Sequence, residues 1–276
     1  MGQAENQAES YVHGHAESVL RSHRWRTAEN SAGYLLEWLR PGLDLLDVGC
    51  GPGTITLDLA SRVAPGVVVG VDRVEAPLAE ARLATARRTA AEQPVPVTFA
   101  VGDVYRLAWP DGRFDVVHAH QLLQHLSDPV AALREMRRVC AHDGLVAARD
   151  VDYAAMSWYP PVAGLDRWLA LYQQVARAAG GEPDAGRRLL SWANRAGFGQ
   201  VTASASVWCF ATPADRAWWG GLWADRVTGS AFAEQTLDQR LASEADLAGL
   251  ADAWREWARA EDGWFAVPHG EVLCRP

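Results

Sequence analysis

From about residue 28 onward, apolar positions switch repeatedly between a helical and a strand-like period. Ala32, Leu35, Leu36 and Leu39 share one face at helical spacing, and Thr27 stands where a cap belongs. Pro41-Gly42 breaks the chain, and Leu43 to Val48 then reads as a buried strand. The spacing predicts a helix over 54–63, a strand over 67–71, a long Ala/Arg helix over 77–91, and strands over 97–101 and 114–119. A helix over 129–139, with Val130, Leu133, Met136 and Arg137 at suitable offsets, precedes a fifth strand over 144–149.

The second half is less regular. Residues 151–183 hold a Tyr/Trp/Pro stretch and a helix over 165–179, and a helix over 185–196 leads through Gly197-Phe198 into an alternating strand over 201–210. Residues 213–262 read as wholly helical and tryptophan-rich, and 267–274 as the last strand. This alternation implies an α/β fold of Rossmann-like, doubly wound type, with a mostly parallel seven-stranded sheet and helices on both faces. Ligands of such sheets bind outside the carboxyl ends of the strands. No repeat or linker divides the chain, so residues 1–276 read as one domain. Its expected parts are a helical cover over 1–39, a ligand-binding half over 40–150, and a remainder over 151–276 with 213–262 inserted as a helical lid.

Composition narrows the partners. A length of 276 residues, 49% hydrophobic and 22% charged, suits a soluble globular protein. No apolar run approaches the roughly 20 residues that span a bilayer, so no membrane partner is expected. The polar, acidic start from Met1 to Ser10 lacks a secretory pattern. Cys50, Cys140, Cys209 and Cys274 are dispersed with no CxxC pair, which argues against a zinc ribbon or disulfide framework and for a reducing cytoplasm. A net charge of −8 with only small basic groupings speaks against nucleic acid. All 26 basic residues are arginine, so Schiff-base chemistry and a P-loop lysine are excluded. The pattern specifies no oligomeric state.

Residues 45–54, Leu45-Leu46-Asp47-Val48-Gly49-Cys50-Gly51-Pro52-Gly53-Thr54, form a strand, a glycine-rich turn and a helix start. Alternate glycines let the backbone bend sharply and approach a ligand closely, and the helix start offers free N–H groups to an anion. A dinucleotide fingerprint beginning at Gly49 would require glycine where Thr54 stands. Asp47, two residues before the first glycine, can face an ammonium group, which a nicotinamide cofactor lacks. The segment resembles motif I of class I S-adenosylmethionine-dependent methyltransferases, in the ubiquinone/menaquinone-biosynthesis (methyltransferase type 11) small-molecule subgroup. The resemblance is strong over roughly residues 40–150 and loose elsewhere.

That resemblance implies a set of roles. Gly49, Gly51 and Gly53 hold the methionine part of S-adenosylmethionine, and Asp47 contacts its amino group directly or through water. Asp72, about 20 residues beyond the turn, suits two ribose hydroxyls, and Arg73 packs on adenine. In Gly102-Asp103-Val104 the acid accepts from the adenine amino group and the next N–H meets the ring. The stretch from Phe114 to Leu126 resembles the segment after strand four, where His120 and Gln121 line the methionine end. Gly197-Phe198 is a further family-like feature. The implied activity is methyl transfer to an O, N or C atom of a small molecule, leaving S-adenosylhomocysteine.

Other residues carry expectations of their own. Tyr11 and His15 are placed to cover the methionine end, with Arg26 reaching its carboxylate; a surface helix with solvated arginines is the alternative. His120 and His125 are candidate general bases, His125 equally a packing residue at a helix start. The histidines show no tight metal spacing, so no metal is expected. Tryptophans of the second half are mostly core, with a minority available to line an apolar or aromatic acceptor pocket. Positioning is expected to dominate catalysis, supplying up to about 7–11 kcal/mol. Two alternatives remain: a cofactor-binding relative without methyl transfer, serving cyclisation or interaction, and a nucleotide-dependent oxidoreductase, against which Thr54 and Asp47 speak.

Overall fold

The computed structural model describes residues 17–91 and 96–276. Its centre is built from short apolar runs. β1 (Leu45–Val48) and β2 (Val68–Asp72) are buried along almost their whole length, as strands covered on both faces must be. β1 pairs in parallel with β2 and with β4 (Phe114–His120), β2 with β3 (Val97–Val101), and β4 with β5 (Cys140–Val151). The connections run through α3 (Thr54–Val63), α4 (Glu75–Ala91) and α5 (Pro129–Val139). Strand order β3-β2-β1-β4-β5 reverses between β1 and β4, which opens a crevice at their carboxyl ends.

The last strand, β8 (Trp264–Arg275), runs antiparallel and serves three neighbours. β5 and then β6 (Ser157–Tyr159) pair with it along one edge, and β7 (Gln200–Phe210) pairs along the other. The sheet therefore has eight strands where the sequence predicts seven. The extra one, β6, has three residues followed by Pro160-Pro161, too short for a period of two to register.

Alternation sorts the side chains onto two faces. Leu45, Val116, Leu145 and Ala147 meet Ala28, Ala32 and Leu35 of α2 (Ala28–Leu36) and Ile55 and Leu59 of α3. Leu46, Val48, Val117, Ala119, Val146 and Ala148 pack with α5 and α7 (Leu189–Ala196). Thr27 caps α2 as expected: its hydroxyl accepts from the Asn30 N–H at 3.2 Å, and Asn30 Oδ1 accepts from the Thr27 N–H at 2.9 Å.

A separate aromatic core joins α6 (Ala163–Ala178), α8 (Pro213–Gly229), α9 (Ala231–Asp238) and α10 (Glu244–Arg259). Trp168, Trp223, Trp254 and Trp257 are fully buried there. Trp168 meets Trp223 edge-on at 4.5 Å, and Trp223 stacks on Trp254 at 5.7 Å. Residues 213–262 are thus helical, but the expectation of a lid needs correction. None of them lines the cavity at the carboxyl ends of the strands. Their tryptophans turn inward against α6 and Phe265 instead. The covering element is α1 (Glu17–Arg24), which α8 props from behind: Arg226 Nη2 donates to Ser22 Oγ at 2.9 Å, and Arg21 pairs with Asp225 at 3.0 Å.

Trp254→Ala removes the ring on which Trp168, Trp223, Trp257 and Phe265 converge. Denaturant unfolding should record a loss of about 3–5 kcal/mol with an unchanged m-value.

Candidate functional site

The glycine turn is shaped by its bonds to β2. Gly49, Gly51 and Gly53 all have positive φ (73°, 52° and 76°). The N–H groups of Gly49 and Cys50 both donate to the Val71 carbonyl, at 2.7 and 3.0 Å. The Gly51 N–H donates to Asp72 Oδ2 at 2.9 Å, and Asp72 Oδ1 accepts from the Val74 N–H at 3.0 Å. α3 then starts at Thr54 with no side-chain cap, so its first N–H groups stay available at the cavity rim.

Asp47 is buried and held from two sides. Thr56 Oγ1 donates to its Oδ2 at 2.5 Å, and His118 Nδ1 lies 2.7 Å from its Oδ1. A carboxylate oxygen only accepts, so the His118 ring hydrogen sits on Nδ1.

These elements enclose a cavity of about 530 Å³. It is lined by Arg26, Asp47, Gly49, Gly51, Asp72, Arg73, Asp103, Val104, His120, Gln121 and His125 among the residues singled out from the sequence. Gly53 and Gly102 are absent from the wall. A Cβ on Gly53 would lie 2.9 Å from the Ala81 Cβ and from the Phe99 ring, and one on Gly102 would lie 2.8 Å from Val71 Cγ1. Both glycines allow close packing behind the wall. Tyr11 and His15 lie outside the described residues. Sequence reasoning missed His23, Cys50, Thr54, Ile55, Leu122 and Leu126, which also line the cavity. Of these, His23 comes from the last turn of α1, where its carbonyl accepts from Thr54 Oγ1 at 3.1 Å.

A buried polar row crosses the sheet beneath α2. Register sets Asp47 beside His118, His120 beside Arg149, and Arg149 beside Glu271. Arg149 Nε lies 3.2 Å from Glu271 Oε1, and the hydroxyls of Ser204 and Ser206 donate to the same carboxylate at 2.7 and 2.5 Å. The Arg149 guanidinium sits 4.9 Å from the Trp208 ring centroid. Burial pulls the Arg149 pKa down to about 10 against the opposing pull of Glu271. The missed members carried one signal, a charged or imidazole side chain inside an otherwise apolar strand.

At the end of β4, Gln121 adopts a left-handed conformation with φ 50°. Its Oε1 accepts from Arg26 Nη2 at 2.6 Å, and its N–H donates to the Arg149 carbonyl at 2.7 Å. His120 is buried, lines the cavity, and has no hydrogen-bond partner at either ring nitrogen among the described residues. Burial first, and then Arg26 and Arg149, hold its pKa well below the ordinary imidazole value. Burial and Arg26 bring His125 to about 3, which leaves it neutral and weakly basic.

A family profile described as a methyltransferase domain matches residues 46–148. An uncharacterized methyltransferase of Schizosaccharomyces pombe is 36% identical over 272 residues, spanning 96% of this chain and 96% of its own. The chain belongs to the S-adenosylmethionine-dependent methyltransferases. A ubiquinone-biosynthesis O-methyltransferase of Hahella chejuensis is 36% identical over 131 residues, 43% of this methyltransferase and 52% of that protein. Among solved structures, the (4+2)-cyclase SpnF superposes with a TM-score of 0.52 at 23% identity, over 97% of this chain and 87% of that one, a likeness of fold alone. The methyltransferase moves a methyl group from S-adenosylmethionine to a small-molecule acceptor. Its cavity suits that cofactor chemically, with a carboxylate at the end of β2, a second beside the glycine turn, and a buried imidazole without a hydrogen-bond partner among the described residues. No helix among the described residues is long and apolar enough to cross a membrane.

The neutral histidines give the methyltransferase a defined response to acid. His120, His125 and His269 all titrate below the ordinary imidazole value in the fold, each chiefly through burial. The unfolded chain protonates them below about pH 6.5, so stability falls as the pH drops. Asp150 opposes this, because burial raises its carboxyl to about 7 and the fold keeps a proton that the unfolded chain releases. Unfolding should take up about two protons net near pH 5 and about one or fewer at pH 6.5, so stability falls by up to about 3 kcal/mol per pH unit at the acid end. Denaturant titrations at both ends of that window check it.

Proposed function

We propose that the cavity between α1 and the carboxyl ends of β1, β2 and β4 holds the cofactor through this chain's own groups. Asp72 accepts from the ribose hydroxyls; both its oxygens already accept one N–H each and retain further lone pairs. Asp103 and the Val104 N–H meet the adenine, Arg73 packs on it, and the uncapped start of α3 lies beside the turn. Asp47, oriented by Thr56 and His118, faces the ammonium group, while Arg26 pairs with the carboxylate.

When bound, the cofactor supplies a methyl group already activated by positive charge on sulfur. The protein's task is therefore alignment and exclusion of water, a term of up to about 7–11 kcal/mol. One observation carries the assignment of the transfer end: the buried imidazole of His120 on the cavity wall, with neither nitrogen hydrogen-bonded among the described residues. A neutral ring offers one donor and one acceptor, which orient a nucleophile. His125 is too weak a base to take its proton. Ile55, Leu122, Leu126 and Val104 give the wall an apolar part, which supports an apolar or aromatic acceptor, the class that the ubiquinone-biosynthesis relative suggests. Four free cysteines are consistent with a cytoplasmic site of action.

Asp72→Ala should weaken S-adenosylmethionine binding by about 1–3 kcal/mol in calorimetry. Unchanged affinity removes Asp72 from the site. In transfer of a labelled methyl group to a panel of phenolic and quinol acceptors, His120→Ala should lower turnover by about 10-fold or more, and His125→Ala should leave it within about twofold. The reverse order would move the transfer end away from His120.

A further inference from the structure

His269 stands in β8, outside the cavity wall and 148 residues from Gln121 in sequence, yet it makes two contacts that define its chemistry. Its Nδ1 lies 2.9 Å from the Val267 carbonyl oxygen. That oxygen only accepts, so the ring hydrogen sits on Nδ1. The ring is 1% exposed, packed 4.3 Å from Trp208 and stacked with His120 at 6.2 Å. Burial and the guanidiniums of Arg149 and Arg26 keep it neutral. Its Nε2 is accordingly a lone pair, and it lies 2.8 Å from Gln121 Nε2.

A lone pair at that place admits only a donor. The Gln121 amide must turn its NH2 toward His269 and its oxygen toward Arg26, whose Nη2 donates to it at 2.6 Å. Flipping the amide would set oxygen against the imidazole lone pair and NH2 against a guanidinium. Gln121 also holds a left-handed φ of 50°, a backbone conformation unfavourable for a residue with a side chain and one that surrounding bonds must maintain.

We propose that His269 is a positioning residue for the cofactor: as a fixed hydrogen-bond acceptor it sets the Gln121 amide, which aims the Arg26 guanidinium at the cofactor's carboxylate. The inference rests on the reading of Arg26 given above. Nothing in it requires His269 to touch the ligand. Its effect reaches the site through two side chains and should be confined to ligands that possess the carboxylate.

Calorimetry with S-adenosylhomocysteine and with 5′-methylthioadenosine, which lacks the amino-acid part, tests this. His269→Ala should weaken S-adenosylhomocysteine binding by about tenfold and leave methylthioadenosine within about twofold. His269→Gln, which restores an acceptor on a side chain of similar reach, should recover most of the loss. In the Arg26→Ala background, His269→Ala should add nothing, because the two changes interrupt one chain of contacts. Should His269→Ala fail to fold, Gln121→Leu keeps the volume, removes both side-chain bonds and carries the same expectations. Equal losses for both ligands, additive losses in the double variant, or no loss at all would overturn the role of His269. A wild-type protein that binds neither ligand would instead overturn the cofactor site on which the inference stands.

Discussion

The ligand end of the sheet depends on how the glycine turn is fastened to β2. Three successive N–H groups, from Gly49, Cys50 and Gly51, reach the Val71 carbonyl and the Asp72 carboxylate. Only a chain that can adopt positive φ at alternate positions turns so many donors toward one strand end. With the turn held, α3 begins at a set place and angle, and Thr56 on its first turn reaches back to Asp47. A carboxylate held from both sides by its own fold meets a cation without reorganising, which is how preorganised electrostatics gain their strength.

Away from this end, mass and chemistry are kept apart. Among the described residues no tryptophan lines the cavity, although the chain has thirteen. The fully buried ones form a scaffold with α6, α8 and α10, and that scaffold carries α1, whose His23 closes over the turn. The cover is thereby anchored on a dense aromatic block, while the wall it faces sets carboxylate, guanidinium and imidazole side chains among glycines and aliphatic groups.

The first half was legible almost residue by residue. The helices at Thr54–Val63 and Pro129–Val139 and the strand at Val97–Val101 stand where periodicity put them, because local pattern and tertiary burial agree there. Asp47 and Asp72 were legible through their distance from the glycines, since a turn converts sequence spacing into spatial proximity. His269 was not, because its relation to Gln121 exists only once β8 has entered the sheet, and no local spacing encodes that contact. The lid failed for a similar reason: a tryptophan-rich amphipathic block states that it buries one face but not against what. Gly53 and Gly102 read as ligand contacts because the need for a missing Cβ is the same whether a cofactor or a neighbouring side chain fills the space.

The placement of β8 also ties two distant polar contacts to one strand. It follows every other strand in the chain and pairs with three of them, and it brings both Glu271 for Arg149 and His269 for Gln121. Without that strand the guanidinium of Arg149 would lack its counter-ion and the amide of Gln121 its director. Both pairings join segments far apart in sequence, the kind whose loop closure must be met before the contact rewards it. One strand thus supplies the charge partner of the buried arginine and the acceptor behind Gln121, so the polar row and the rim of the cavity share a single support.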